Sequence, residues 1–192
     1  MKLEQKIGVI GNGFVGSAVQ FGFSQKVGCE AEVRVYDKNP SKSTHTLEET
    51  VNESDFIFLS VPTPANDNGS INLDILNGAL EDINKVHEGK DNAILIRSTV
   101  IPGTTWSLQC EYPQLNILFN PEFLTEKSAN FDFINQSRFV IGNNGKQMSW
   151  AKSEDFVELI KDRFGDCVSI LQTSYETAEL IKYMSNCFFA TK

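Results

Sequence analysis

Gly11-Asn12-Gly13-Phe14-Val15-Gly16 carries the spacing G-x-G-x-x-G. That spacing suits phosphate chemistry when a strand precedes it and a helix follows. Gly11 permits a tight strand-to-helix turn. Gly13 removes a side chain where a pyrophosphate must approach the backbone, and Gly16 allows close helix–strand packing. The helix N-terminus adds free N–H groups and partial positive charge. Asp37 follows Gly16 by 21 residues, a position from which a carboxylate accepts hydrogen bonds from an adenosine ribose. A negative charge there repels a 2′-phosphate, so NAD is favoured over NADP, with Lys38 and Lys42 softening the preference. The plainer alternative is a glycine turn without ligand, closed by Asp37 as a strand-end cap.

Four further segments are polar where strands should end: Val61-Pro62-Thr63-Pro64, Arg97–Thr104, Asn120–Glu126 and Ala178–Asn186. In the last, Glu179, Lys182 and Asn186 are spaced i, i+3, i+7 and share a helix face. A lysine and an asparagine one turn apart can hold a water or a substrate oxygen between them. The ammonium can also stabilise negative charge developing on that oxygen. Taken singly, each candidate has a plainer reading. Lys182 can be a solvated helix lysine, Glu122 a loop carboxylate, and Thr99 a hydroxyl capping the next turn.

The elements that must position these residues alternate in kind. Apolar runs at Lys6–Ile10, Glu32–Tyr36, Phe56–Val61, Asn92–Arg97, Leu115–Phe119, Phe139–Ile141 and Cys167–Leu171 read as strands. Phe14–Ser24, Leu73–Val86, Thr104–Cys110, Ser149–Lys161 and Thr173–Ala190 read as helices, the last capped by Ser174 with Glu176 in its first turn. Strand, helix, strand at this spacing predicts βαβ units, and near-continuous apolar strands predict a sheet covered on both faces. The fold class expected is α/β: a Rossmann-like, doubly wound, mostly parallel sheet that ends in the start of a long helix. Pro62–Ser70 is turn-rich and lies at the carboxyl end of a strand, where open α/β sheets bind ligands.

Composition narrows the class of function. The chain has 192 residues, of which 41% are hydrophobic, with 17 Lys+Arg against 25 Asp+Glu and a net charge of -8. This excludes a disordered chain and argues against a general nucleic-acid binder, which needs clustered cations. No run reaches the roughly 18 apolar residues of a membrane span. Met1–Lys6 is polar and lacks the apolar core of a signal peptide. Cys29, Cys110, Cys167 and Cys187 are widely spaced, and His45 and His87 stand alone, so no metal site is expected. The expected setting is a reducing cytoplasm.

The ordered set GxGxVG, VPTP, STVxPGT, NPEFLxE and AELIKYxxNxFxATK resembles the nucleotide-binding domain of the UDP-glucose/GDP-mannose dehydrogenase family. The resemblance runs from Ile7 to Lys192. It implies oxidation of the C6 hydroxyl of a nucleotide sugar, UDP-glucose first among them, to a carboxylate with two NAD molecules in succession. It also implies residue roles. Gly11, Gly13, Phe14, Val15, Gly16 and Asp37 are similar to the family's NAD site, with Lys42 reaching the adenosine ribose. Pro62, Thr63, Ser98 and Thr99 are similar to nicotinamide-side contacts, with Glu126 nearby. Thr99 is implied in positioning a catalytic water, and Glu122 in acting on water or thioester. Phe123 and Leu124 are implied as backbone contacts to the sugar nucleotide. Lys182 is similar to the lysine that binds sugar and stabilises an oxyanion intermediate, with Asn186 its partner.

In that family a cysteine nucleophile and a nearby aspartate lie in a second domain, joined by a long helix that builds the dimer. The expected division is residues 1–172 as the NAD-binding domain and 173–192 as the start of the connecting helix, with the UDP-binding domain absent. Cys187 lies about 100° round the helix from Asn186 and is a poor substitute. The chain is therefore expected to bind NAD without sustained turnover, with a separate chain as one possible source of the cysteine domain. A stand-alone NAD-binding or regulatory module, and a β-hydroxyacid-dehydrogenase-like enzyme, are the alternatives. The latter group lacks Asn120-Pro121-Glu122-Phe123-Leu124.

Overall fold

The computed structural model describes residues 4–192. Of the polar N-terminal stretch, residues 1–3 lie outside the described residues. The strands are β1 (Ile7–Ile10), β2 (Val33–Tyr36), β3 (Phe56–Leu59), β4 (Ala93–Ile96), β5 (Ile117–Phe119), β6 (Arg138–Asn143) and β7 (Ser169–Ser174). The helices are α1 (Phe14–Gly22), α2 (Leu47–Asn52), α3 (Asp74–Val86), α4 (Thr104–Glu111), α5 (Ala129–Ile134), α6 (Gln147–Phe164) and α7 (Tyr175–Thr191). They build one seven-stranded sheet in the order β2-β1-β3-β4-β5-β6-β7. All neighbours are parallel except β5 and β6, which meet antiparallel at Phe119 and Gly142. The expected α/β doubly wound class is the one observed.

Alternation along the strands decides which core each side chain joins. Phe56, Phe58, Ala93, Leu95 and Leu118 face α1, α5 and α6, where Val19, Phe133 and Phe156 pack against them. Ile57, Leu59, Ile94, Ile96, Ile117 and Phe119 face the opposite layer, formed by Val51 of α2, Leu80 of α3, Leu108 of α4 and Tyr175 of α7. Both faces are covered, as the unbroken apolar strands require. Each fully buried Leu, Ile or Phe contributes about 1.5–3 kcal/mol by leaving water. The helical spacing in α3 is met: Leu76, Ala79, Leu80 and Ile83 are its buried residues.

Two helices have no counterpart in the sequence reading. α2 has a capping box, with Thr46 accepting from the N–H of Glu49 and the Glu49 carboxylate accepting from the N–H of Thr46. α5 is clasped by Asp132, whose carboxylate accepts from the Thr125 N–H and the Ser128 hydroxyl. Both span only six residues, too short for a helical period to stand out. α7 begins at Tyr175, where the Ser174 hydroxyl accepts from the N–H of Thr177. Its first two turns belong to the core, with Tyr175, Ala178, Glu179 and Lys182 buried. Further on it exposes Tyr183, Met184, Phe188 and Phe189.

Candidate functional site

The carboxyl ends of β1, β2, β3 and β4 open into a cleft of about 450 Å³. The β1–α1 turn forms its floor. Gly11 has φ +88°, and a Cβ there would stand 2.5 Å from the carbonyl oxygen of Ser60. A Cβ on Gly16 would meet the Gly11 carbonyl oxygen at 2.0 Å, so α1 can lie this close to β1 only with glycine in place. Gly13 differs: nothing lies within 4 Å of its would-be Cβ. Its openness faces the cleft, and no side chain caps α1. The first-turn N–H groups are left for an anion.

Asp37 stands beside this turn at the end of β2. One carboxylate oxygen accepts from the N–H of Asn12 at 2.7 Å, and the other from the N–H of Asn39 at 2.8 Å. The carboxylate is thereby held at the cleft edge with lone pairs to offer. Asn12 also donates its side-chain amide to the carbonyl of Lys42 at 2.9 Å, tying the Pro40–Lys42 turn to the glycine loop. Tyr36, Leu47, Ile75 and Ala79 form an apolar wall on this side. Sequence reading missed that wall, because its members come from three separate elements.

Pro62, Thr63, Ser98 and Thr99 line the other end. The hydroxyl of Ser98 donates to the carbonyl of Val61 at 2.6 Å, and that of Thr63 to the carbonyl of Thr99 at 2.8 Å. These bonds pin the ends of β3 and β4 together and leave hydroxyl lone pairs as acceptors. Glu122 is 8% exposed and lines the same end. One of its oxygens accepts from Nζ of Lys182 at 2.9 Å, and the other from the N–H of Leu124 at 2.6 Å. Lys182, 4% exposed, also lies 5.6 Å from the centre of the Phe123 ring.

Not every expected residue converges here. Asn186 is exposed on α7, and Lys182 pairs with Glu122 rather than with it. Glu126 is exposed at the start of a short turn, and Leu124 packs against the core. Glu179 turns to α4, accepting from the N–H groups of Gly103 and Thr105 at 2.6 and 2.7 Å. Burial raises its carboxyl above the ordinary value, and those two hydrogen bonds pull it back part of the way. Arg97, named in the sequence only as part of a polar segment, is 2% exposed and also lines the cleft. Among the described residues there is no cluster of three or more potential metal ligands, and no helix is long and apolar enough to cross a membrane.

An open glycine turn, an uncapped helix N-terminus, a preset carboxylate and an apolar wall fit an adenine dinucleotide. The comparisons agree. Residues 41–160 match the model of the UDP-glucose/GDP-mannose dehydrogenase family, NAD binding domain. That segment holds Pro62, Thr63, Ser98, Thr99 and Glu122. It begins after the glycine turn and ends before α7. The UDP-glucose 6-dehydrogenase of Rickettsia prowazekii is 36% identical over 79% of this chain and 35% of its own length. The uncharacterised protein MJ1054 of Methanocaldococcus jannaschii is 33% identical over 97% of this chain and 24% of its own. The chain thus spans about a third or less of these curated relatives. Among solved structures, a UDP-glucose dehydrogenase from Pyrobaculum islandicum superposes with a TM-score of 0.79 at 27% identity, over 97% of this chain and 50% of its own. The GDP-mannose dehydrogenase of Pseudomonas aeruginosa, solved as a ternary complex, has the same fold, with a TM-score of 0.80 at 22% identity and the same coverage. Cleft and comparisons lead to one assignment: the chain belongs to the UDP-glucose/GDP-mannose dehydrogenase family and carries its NAD-binding domain.

Proposed function

We propose that this chain is the cofactor-binding portion of a nucleotide-sugar 6-dehydrogenase, with UDP-glucose the leading substrate. The observation that carries the reading is the buried Glu122–Lys182 pair at one end of a cleft whose other end is the glycine turn and Asp37. A pure NAD sensor has no need of a desolvated acid–amine pair beside the cofactor.

The residues divide by what they can do. The β1–α1 turn, with Gly11, Gly13, Phe14, Val15 and Gly16, receives the pyrophosphate. Asp37 takes the adenosine ribose hydroxyls, with Lys42 at the rim. When bound, NAD supplies a hydride acceptor. Pro62, Thr63, Ser98 and Thr99 bound the space next to its reactive ring. Glu122, which lines the cleft with Thr99, is read as the group that acts on water. Lys182 keeps Glu122 oriented, and its ammonium can stabilise negative charge on a sugar oxygen. Phe123 and Leu124 are read as backbone contacts to substrate, through groups other than the Leu124 N–H, which Glu122 already holds. Glu126 and Asn186 stand outside the cleft in this arrangement, and act only if substrate or a further domain draws them in.

None of the four cysteines lines the cleft. Cys29 is buried, and Cys110, Cys167 and Cys187 are exposed. We therefore read the thiol of the second oxidation as coming from outside these 192 residues, in a further domain or a separate chain. The exposed apolar half of α7, Tyr183 to Phe189, is the surface we assign to that junction. Calorimetry of the chain with NAD, followed by an assay for NADH with UDP-glucose, tests this. Binding with no steady NADH production is expected. No binding at millimolar NAD rejects the cofactor site, and two NADH per UDP-glucose from the pure chain rejects the division of labour.

A further inference from the structure

Arg97 stands just beyond the end of β4 on the face occupied by α1, α5 and α6. Its guanidinium carbon lies 5.6 Å from the centre of the Phe58 ring and 5.9 Å from that of Phe133. One nitrogen, Nη1, donates to the side-chain oxygen of Asn120. The other two, Nε and Nη2, are buried and have no partner among the described residues. Nor does Arg97 make an ion pair among them. The carboxylate whose charge reaches it is Glu122, which Lys182 already bridges. Two buried cations thus stand against one carboxylate.

Such an arrangement is unfavourable in itself. A buried charge without a counter-ion is among the most destabilising features a fold can carry. Burial pulls Arg97 down to about 10, and Glu122 offsets part of this, so the guanidinium remains protonated at neutral pH. Its field acts through protein rather than water and is only weakly screened.

The cleft end lined by Arg97, Ser98, Thr99 and Glu122 is the end away from Asp37. With the adenosine ribose at Asp37 and pyrophosphate at the glycine turn, the nicotinamide ring occupies this end. Oxidised NAD carries a positive charge on that ring. Reduced NADH, having gained a hydride, does not. We propose that Arg97 is an electrostatic selector for the reduced cofactor: its uncompensated charge disfavours the cationic ring and so favours hydride acceptance. It acts through space rather than by contact, since its free nitrogens are closed off from the cleft. The inference rests on NAD occupying the cleft as described.

Calorimetric affinities for NAD and NADH test it, in the wild-type chain, Arg97→Met, Arg97→Gln and Glu122→Gln. Wild type should hold NADH more tightly than NAD. Arg97→Met should cut that ratio about tenfold or more, the scale of a unit charge acting over about 10 Å at an effective dielectric of about 20. Arg97→Gln, neutral but polar enough to keep a bond to Asn120, should cut it likewise, and Glu122→Gln, which leaves both cations unopposed, should raise it. A merely structural role would weaken both cofactors by one factor and leave the ratio alone. An equal ratio in wild type and Arg97→Met overturns the proposal, as does an Arg97→Gln variant that keeps the wild-type ratio. If Arg97→Met fails to fold, the ratio in Arg97→Gln decides. Failure of wild type to bind either form removes the cofactor reading beneath it.

Discussion

The two ends of the cleft are built by different means. The adenosine end is backbone geometry: a glycine turn, an uncapped helix and one carboxylate, Asp37, set by two local N–H groups. The inner end is side-chain charge. Arg97, Glu122 and Lys182 come from the end of β4, the loop after β5, and α7, and Glu122 and Lys182 lie 60 positions apart in sequence. The first can be present as soon as β1, α1 and β2 associate. The second exists only when the whole sheet and α7 are in place. On the proposed reading, cofactor binding and chemistry therefore depend on different parts of the fold.

The sharpest way to break this contrast is Lys182→Met. It removes the hydrogen-bonded partner of Glu122 and leaves Arg97 as the cation whose charge reaches it, which should lower stability by about 2–3 kcal/mol in urea unfolding. Affinity of the folded fraction for ADP-ribose should be unchanged. Loss of ADP-ribose binding in that variant would mean that the two ends are not separable.

Asp37→Ala tests the same contrast from the other side. Losing a charged acceptor for ribose hydroxyls should weaken NAD by about 2 kcal/mol and narrow the preference over NADP, with little change in stability. Calorimetry with both cofactors measures it. Equal affinities before and after would remove Asp37 from the site.

The smallest expected effect concerns Glu179, which couples α7 to α4. Its carboxyl is raised in the folded chain. The folded state thus holds a proton that the unfolded chain has already released. That contribution is full below the ordinary glutamate value and is lost as pH rises through the raised one. Glu179→Gln should remove this falling component, so the stability gap between variant and wild type should change between acid and neutral pH. A gap independent of pH would leave Glu179 without that role.

The sequence made the two ends legible to different degrees, for the same physical reason. Gly11, Gly13, Gly16 and Asp37 form a local pattern whose spacing follows from one βαβ unit, so position alone implied purpose. At the inner end, residue types were visible but partners were not. Helical spacing put Lys182 with Asn186, whereas the chain brings Lys182 to Glu122. Arg97 looked like one polar residue at a strand end. Only strand parity, which turns it with Leu95 toward Phe58 and Phe133, reveals its burial. The reversed direction of β6 was likewise invisible, since an apolar run gives no indication of polarity along the sheet.

That reversal has a consequence for how the molecule breathes. β5 and β6 share one backbone pair, Phe119 with Gly142, whereas β6 and β7 are in register over six pairs. The sheet thus has a seam, crossed by the Asn120 amide donating to the Val140 carbonyl at 2.9 Å and steadied by the Tyr175 hydroxyl on the Ile117 carbonyl. Amide protons on the β6–β7 side should exchange with solvent through smaller openings than those of β1, β3 and β4, as a cooperative unit of its own. Asn120 is also the residue that holds the Arg97 guanidinium by a hydrogen bond. Each opening of the seam would release that guanidinium, so the local stability of this line governs how long the charge at the inner end stays in place.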